Sequence, residues 1–303
     1  MITGVRRIDA ELWTRLPDAL HHTGEPNDWV RTTRPGMRLH SFLEGPCFDA
    51  DGTLWLADVP YGRIFKIAPS GAWTLAQRYD GEPHGLRRLA DGRFAVTDHR
   101  HGLLALDPVS GTREVLVDRI NTEHFRGLSD LALAPNGDIW FTDSGRTSLS
   151  DPTGRLFRLR APLDPQARRL ELVLANVPYP NGVALSPDGR LVYLAATRAN
   201  AVWRLLADAP DPVWPMVGIF VQLSGGLGPD GLAVDRRGRL AVAHGQAGRA
   251  WLFDALGDPL AEIRTPGGLW VTSCAFAGAD ETQLCIVEAQ TGGIYRADLR
   301  GLD

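Results

Sequence analysis

Six polar residues stand at the same phase of a repeating unit, and their types suit oxygen-based metal and acyl chemistry. Counting back seven positions from the turns at Asp51-Gly52, Asp91-Gly92, Asn136-Gly137, Asp188-Gly189 and Arg237-Gly238, and from Asp280, reaches Glu44, His84, Ser129, Asn181, Asp230 and Ser273. Two carboxylates and one amide, helped by Ser129 and water, suit a hard divalent cation such as Ca2+, Mg2+ or Mn2+. With no cysteine and a single histidine in the set, a closed zinc site is disfavoured. A cation held by so few side chains keeps positions free for water and substrate, where it can polarise a carbonyl. The plainer alternative is a ring of satisfied polar residues around a water channel.

The element that carries each of these residues is a hairpin. In Ser129–Asp143 a short apolar strand runs to the turn Pro135-Asn136-Gly137, and Ile139 to Thr142 return as a β-branched and aromatic strand. The six units are spaced by 40, 45, 52, 49 and 43 residues, the period of a propeller blade. Each continues into further strands, such as Arg63 to Ile67 and Trp73 to Ala76 in the first. The expected fold is all-β: one six-bladed β-propeller domain over 1–303, with four-stranded blades starting near 44, 84, 129, 181, 230 and 273. Its innermost strands line a central channel, so the six polar residues converge at one mouth.

The last unit ends one strand short. Leu12 to Leu16 can supply that strand and close the ring, against a modest helical pattern over Asp9 to Leu16. The rest of 1–40 reads as loop covering an outer face or one end, with His21 and His22 as solvated histidines. Residues 144–153 are expected to rim the pocket, and residues 206–216 to form a surface excursion. The glycines of Ser224 to Pro229 are expected to let the backbone approach the axis before Asp230. A second set, Asp58, Asp98, Asp143, Ala195 or Ala196, His244 and Glu288, closes the return strands. Most of it reads as structural, with His244 and Asp98 best placed to reach the pocket. His99, His101 and His124 read as solvated loop residues.

Composition narrows the partners. Thirty-two basic against 36 acidic side chains give a net charge of −4, no footprint for nucleic acid or an anionic membrane. No run approaches the ~18 apolar residues of a membrane helix, and the first residues lack the apolar core of a secretory signal. Three scattered cysteines read as buried thiols of a cytoplasmic protein. The partner expected is a small-molecule substrate.

The motifs Glu44-Gly45-Pro46, Pro180-Asn181-Gly182 and Pro229-Asp230-Gly231 resemble the regucalcin/gluconolactonase family, which includes the diisopropylfluorophosphatase-like and luciferin-regenerating enzymes. The resemblance covers residues 42–299. It implies one divalent cation, Ca2+ first, then Mg2+, Mn2+ or Zn2+, with Glu44, Asn181 and Asp230 as metal ligands. It also implies Asp230 as the water-activating base of a lactonase that opens a sugar lactone or similar small cyclic ester. His84, Ser273, Ser129 and His244 are the expected substrate contacts. Ser129-Asp130 stands where the family usually has Asn-Asp, Thr272-Ser273 where it often has Thr-Asn, and Ala195-Ala196 where an acid is frequent. The departures at Ser129 and Ser273 favour the second reading, a propeller that binds a small molecule or Ca2+ without turnover. A phosphoester hydrolase on the same site ranks third.

Overall fold

Runs of Val, Ile, Leu and aromatic residues, each closed by a Gly, Asn or Asp turn, fold as six antiparallel sheets in the computed structural model, which describes residues 4–163, 169–209 and 215–302. The six inner strands are Leu43–Phe48, Pro83–Arg88, Leu128–Leu133, Pro180–Leu185, Gly228–Val234 and Val271–Ala277. Each packs against the next, and the last packs against the first, so the blades close as a propeller. Apolar side chains fill the gaps between blades. Trp55 of blade one packs with Leu86 and Phe94 of blade two, and Trp140 of blade three with Val183 and Val192 of blade four.

Ring closure follows the strand reading of the N-terminus. Glu11–Arg15 pairs antiparallel with Gly293–Asp298 as the outer strand of blade six. The helical pattern over Asp9 to Leu16 loses because tertiary partners reward the extended form. Trp13 lies under the Arg296 guanidinium, 3.6 Å from ring centroid to carbon, and Thr14 Oγ1 donates to Gly71 O of blade one at 2.9 Å. The preceding residues do something the pattern did not announce. Arg6–Asp9 adds parallel to Pro259–Arg264 as a fifth strand of blade five.

Residues 17–40 cover one mouth of the channel. A short helix, α1 (Asp28–Thr33), starts at Asn27, whose side chain accepts from Val30 N at 3.0 Å. It buries Trp29 and Val30 against Phe42, Val59 and Ala289 and ends before Pro35-Gly36. His21 and His22 are not solvated as expected. They stack on His40 and Tyr61 with ring centroids 4.0 and 3.8 Å apart, because the strap lies flat on blade one. Of the 206–216 excursion, residues 210–214 lie outside the described residues. No helix among the described residues is long and apolar enough to cross a membrane.

One irregularity recurs in every blade. The inner-strand ladder breaks between Glu44 and Cys47, Pro83 and Leu86, Leu128 and Leu131, Pro180 and Val183, Pro229 and Leu232, and Val271 and Ser273. A bulge bends the strand and re-aims the side chain at the break. All six residues singled out by phase therefore sit at or beside a bulge. The glycine after Asn181 has a steric reason: a Cβ on Gly182 would lie 2.3 Å from Asp230 O of the next blade. Only a residue without a side chain lets the two inner strands approach that closely.

Candidate functional site

The inner ring holds more unmet polar demand than a water channel requires. Glu44 accepts or shares one proton with His84, Oε2 to Nδ1 at 2.7 Å. Ser129 Oγ donates to Asn181 Oδ1 at 2.8 Å, and the Asn181 side chain lies near enough to the Asp230 carboxylate to lower its pKa slightly. Burial, then the charge of Asp130, pushes the Glu44 carboxyl up to about 8. Burial, then Glu44 itself, holds Asp230 well above the usual carboxylate range. Burial drives His84 down to about 4, so it is neutral at pH 7, and its Nε2 is buried without a hydrogen-bond partner.

The second set is what positions the first. Asp58 accepts from Phe42 N at 2.7 Å and from Arg63 Nε at 2.6 Å. Asp98 accepts from Glu82 N, Arg100 N, His101 N and the Tyr79 hydroxyl. Asp143 accepts from Arg126 N and Gly127 N and pairs with Arg155. Glu288 accepts from Trp270 N, Gln290 N and Thr291 N. In these four blades one pinned N–H lies just before the inner strand, two or three residues ahead of the ring residue. Hydroxyls then tie blade to blade: Thr97 donates to Ser129 O, Thr142 to Asn181 O, Thr197 to Pro229 O and Thr272 to Leu43 O.

Asp98, expected as able to reach the pocket, is fully buried and saturated by these bonds. His244, expected as a substrate contact, is also turned away. Trp251 Nε1–H donates to its Nδ1 at 3.2 Å, which leaves Nε2–H to donate to Gly225 O at 2.9 Å. It holds the glycine loop, and Gly226 rather than His244 lines the cavity. Ser273 is buried beneath Gly231, where an added Cβ would lie 3.0 Å from its Oγ, and it too is absent from the cavity wall.

The cavity over the ring has a volume of about 970 Å³. His84 and Ser129 open into it, and residues 144–150 rim it as expected. Its other walls were not legible from phase: Arg34 at the end of α1, His99, Tyr179 and Arg198. His99 packs 5.6 Å from His84 between ring centroids and is likewise driven by burial down to about 4. Its seat depends on Gly127 (φ 143°), where a Cβ would meet the imidazole at 2.1 Å. Tyr179 holds φ 61° before Pro180, a strained backbone of the kind found at functional sites.

The donor set fits a hard cation by its chemistry. Two buried carboxylates whose pKa is raised chiefly by burial, Glu44 with Asp130 nearby and Asp230 with Glu44 nearby, beside an amide oxygen, would give up protons to a divalent ion. The number of acidic or imidazole donors is small, and no group of three or more His, Cys, Asp and Glu among the described residues is arranged as a metal cage.

Comparison with known proteins gives a consistent result. The sequence matches the SMP-30/Gluconolactonase/LRE-like region over residues 42–290. It is 29% identical over 254 residues to the lactonase drp35 of Staphylococcus epidermidis, spanning 81% of this chain and 74% of that one. A gluconolactonase from Xanthomonas campestris superposes with a TM-score of 0.71 at 24% identity, over 85% of this chain and 86% of that chain. Regucalcin from Agrobacterium tumefaciens, described as a calcium-binding protein, superposes with a TM-score of 0.70 at 22% identity, over 86% and 90%. At these identities the two solved structures speak for the fold alone.

Proposed function

Because the chain belongs to the SMP-30/gluconolactonase/LRE-like family, we propose that it is a divalent-cation-dependent hydrolase that opens a sugar lactone or similar small cyclic ester. The observation that carries this reading is the pair Glu44 and Asp230: buried carboxylates, both with raised pKa, set behind the cavity wall, where Glu44 bonds His84 and Asn181 bonds Ser129, the two ring residues that open into it. Glu44, Asn181 and Asp230 would hold the ion, Ca2+ first, which when bound supplies Lewis acidity toward a carbonyl oxygen and a water. Asp230, beside Asn181, takes the proton of the attacking water. Its raised basicity suits a general base working near neutral pH. His84 presents a neutral, unpartnered Nε2 to the substrate, and Ser129 orients Asn181 through its 2.8 Å bond. The half-enclosed cavity, walled by Trp29, Tyr179 and Leu227, limits water around the reacting ester.

The rival, a propeller that binds without turnover, is favoured by that same Ser129 bond, which competes for the Asn181 oxygen. A panel of lactones with Ca2+, Mg2+, Mn2+ and Zn2+, read by acid release, separates the two. Turnover of at least one lactone that depends on added cation is expected. Cation binding with no turnover across the panel supports the rival.

A further inference from the structure

Arg34 is an unusual residue to find over two carboxylates proposed to hold a cation. It leaves α1 at Arg34-Pro35 and lays its guanidinium on the Trp270 ring at 4.0 Å, with Phe42 at 4.9 Å. Nη1 reaches only Thr33 O, at 2.9 Å, and Nε is buried with no partner. The aromatic faces hold the plane of the group but satisfy none of its N–H edges. A buried, unpartnered guanidinium N–H costs free energy until an acceptor arrives. Glu44 and Asp230 face Arg34 electrostatically, but neither forms an ion pair with it. A divalent ion on those carboxylates would cancel the attraction and leave Arg34 beside a second positive charge.

The rest of the wall has the same sign. Arg146 and Arg198 also line the cavity, and among the described residues neither forms an ion pair. The acidic wall residues offset them only in part: Asp28 already pairs with Arg31 at 3.0 Å, which leaves Glu82 as the one acidic wall residue without an ion pair among the described residues, against Arg34, Arg146 and Arg198. A ligand that fits this chamber therefore carries a reactive end at His84 and Ser129, in front of the Glu44–Asp230 pair, and an acceptor-rich anionic end at the arginines.

We propose that the site takes lactones bearing an anionic group, a carboxylate or a phosphate ester, and that Arg34 is the specificity-determining residue that receives it. For the reactive ester this rests on the lactonase reading; for the anion it does not. Planar, two-pronged recognition of a carboxylate or phosphate by guanidinium is what the free Nε edge offers.

Two measurements test it. In the first, kcat/KM is compared for a neutral aldonolactone, a carboxylate-bearing lactone and a phosphate-bearing lactone of similar size, at low salt. An anionic lactone is expected to lead the neutral one by about tenfold or more, with the lead shrinking as NaCl rises. The two anionic arms say which acceptor fits. R34M is expected to reduce that lead to about twofold, mainly through KM, with R34K recovering part of it and R198M costing less. In the second, titration calorimetry follows an open-chain sugar dicarboxylate against a neutral polyol on the full chain. Wild type is expected to prefer the dianion, and R34M to lose the preference. Lactone turnover with no anionic lead overturns this proposal and leaves the lactonase reading standing. Dianion binding through Arg34 without turnover of any lactone does the reverse. If R34M does not fold, the salt dependence of wild type and the R198M ratios decide: a salt-independent ratio near one overturns the proposal.

Discussion

Two rings of carboxylates lie one strand apart in this propeller and do opposite things. Asp58, Asp98, Asp143 and Glu288, at the ends of the second strands, are saturated by backbone N–H groups, and Asp58 and Asp143 by arginines as well. Glu44, on an inner strand, has one side-chain partner, His84, and the Asp230 carboxylate has no hydrogen-bond or ion-pair partner among the described residues. The outer ring is buried and complete, so its charge is absorbed in holding loops. The inner ring is buried and incomplete, so its charge is left for a ligand. Burial alone does not distinguish a functional acid from a structural one; the count of donors around it does.

That contrast can be broken at either ring. The largest effect is expected from Asp230→Ala: hydrolysis falls by about 10³-fold or more, while the melting temperature holds or rises because a buried repulsion is removed. Asp143→Ala is expected to show the converse. It strands Arg155, whose Nη2 sits 2.5 Å from the carboxylate, and should cost about 3–5 kcal/mol of stability, read by chemical denaturation. An Asp143→Ala protein as stable as wild type would dissolve the distinction between the rings.

A smaller effect sharpens it by pH. Glu44 is raised from 4.5 in the unfolded chain to about 8, so its contribution to stability is fully present below 4.5 and lost as pH rises through 8. His84 and His99, lowered from 6.5 to about 4, contribute stability above 6.5 that is lost as pH falls through 4. Between pH 6.5 and 8 the slope belongs to Glu44 and Asp230. Cation-free protein is expected to lose up to about 1.4 kcal/mol per pH unit there for each of the two carboxyls, and Glu44→Gln to remove its share of the slope. A flat wild-type profile would contradict the raised pair. The smallest effect is expected from Ser129→Asn, which replaces the hydroxyl on Asn181 with an amide donor and oxygen. A few-fold gain in Ca2+ affinity by calorimetry marks the position as a ligand site; no change places the ion on Glu44, Asn181 and Asp230 alone.

Much of this was readable in advance where the repeat carried it. The turn-to-residue phase located Glu44, His84, Ser129, Asn181 and Asp230, because every blade imposes the same bulge on its inner strand. The same logic misjudged Ser273 and His244, since phase fixes a backbone position and not whether a neighbouring glycine or tryptophan intervenes. Arg34 and Tyr179 belong to no repeat: one comes from the strap and the other from a strained residue before a proline. His99 lies one residue past the phase of the outer ring, and its burial depends on the absent side chain of Gly127. Arg6–Asp9 was silent because a short edge strand takes its partner from the sheet it joins rather than from its own pattern.

The most direct measurement is the rate of lactone hydrolysis by protein stripped of divalent ions with a chelator, before and after the cation is restored. The expected result is a rate near background that recovers on adding Ca2+ or its preferred substitute, with Asp230→Ala unable to recover. Undiminished turnover in the stripped protein would contradict the account, since the incomplete inner ring would then be serving something other than a catalytic ion.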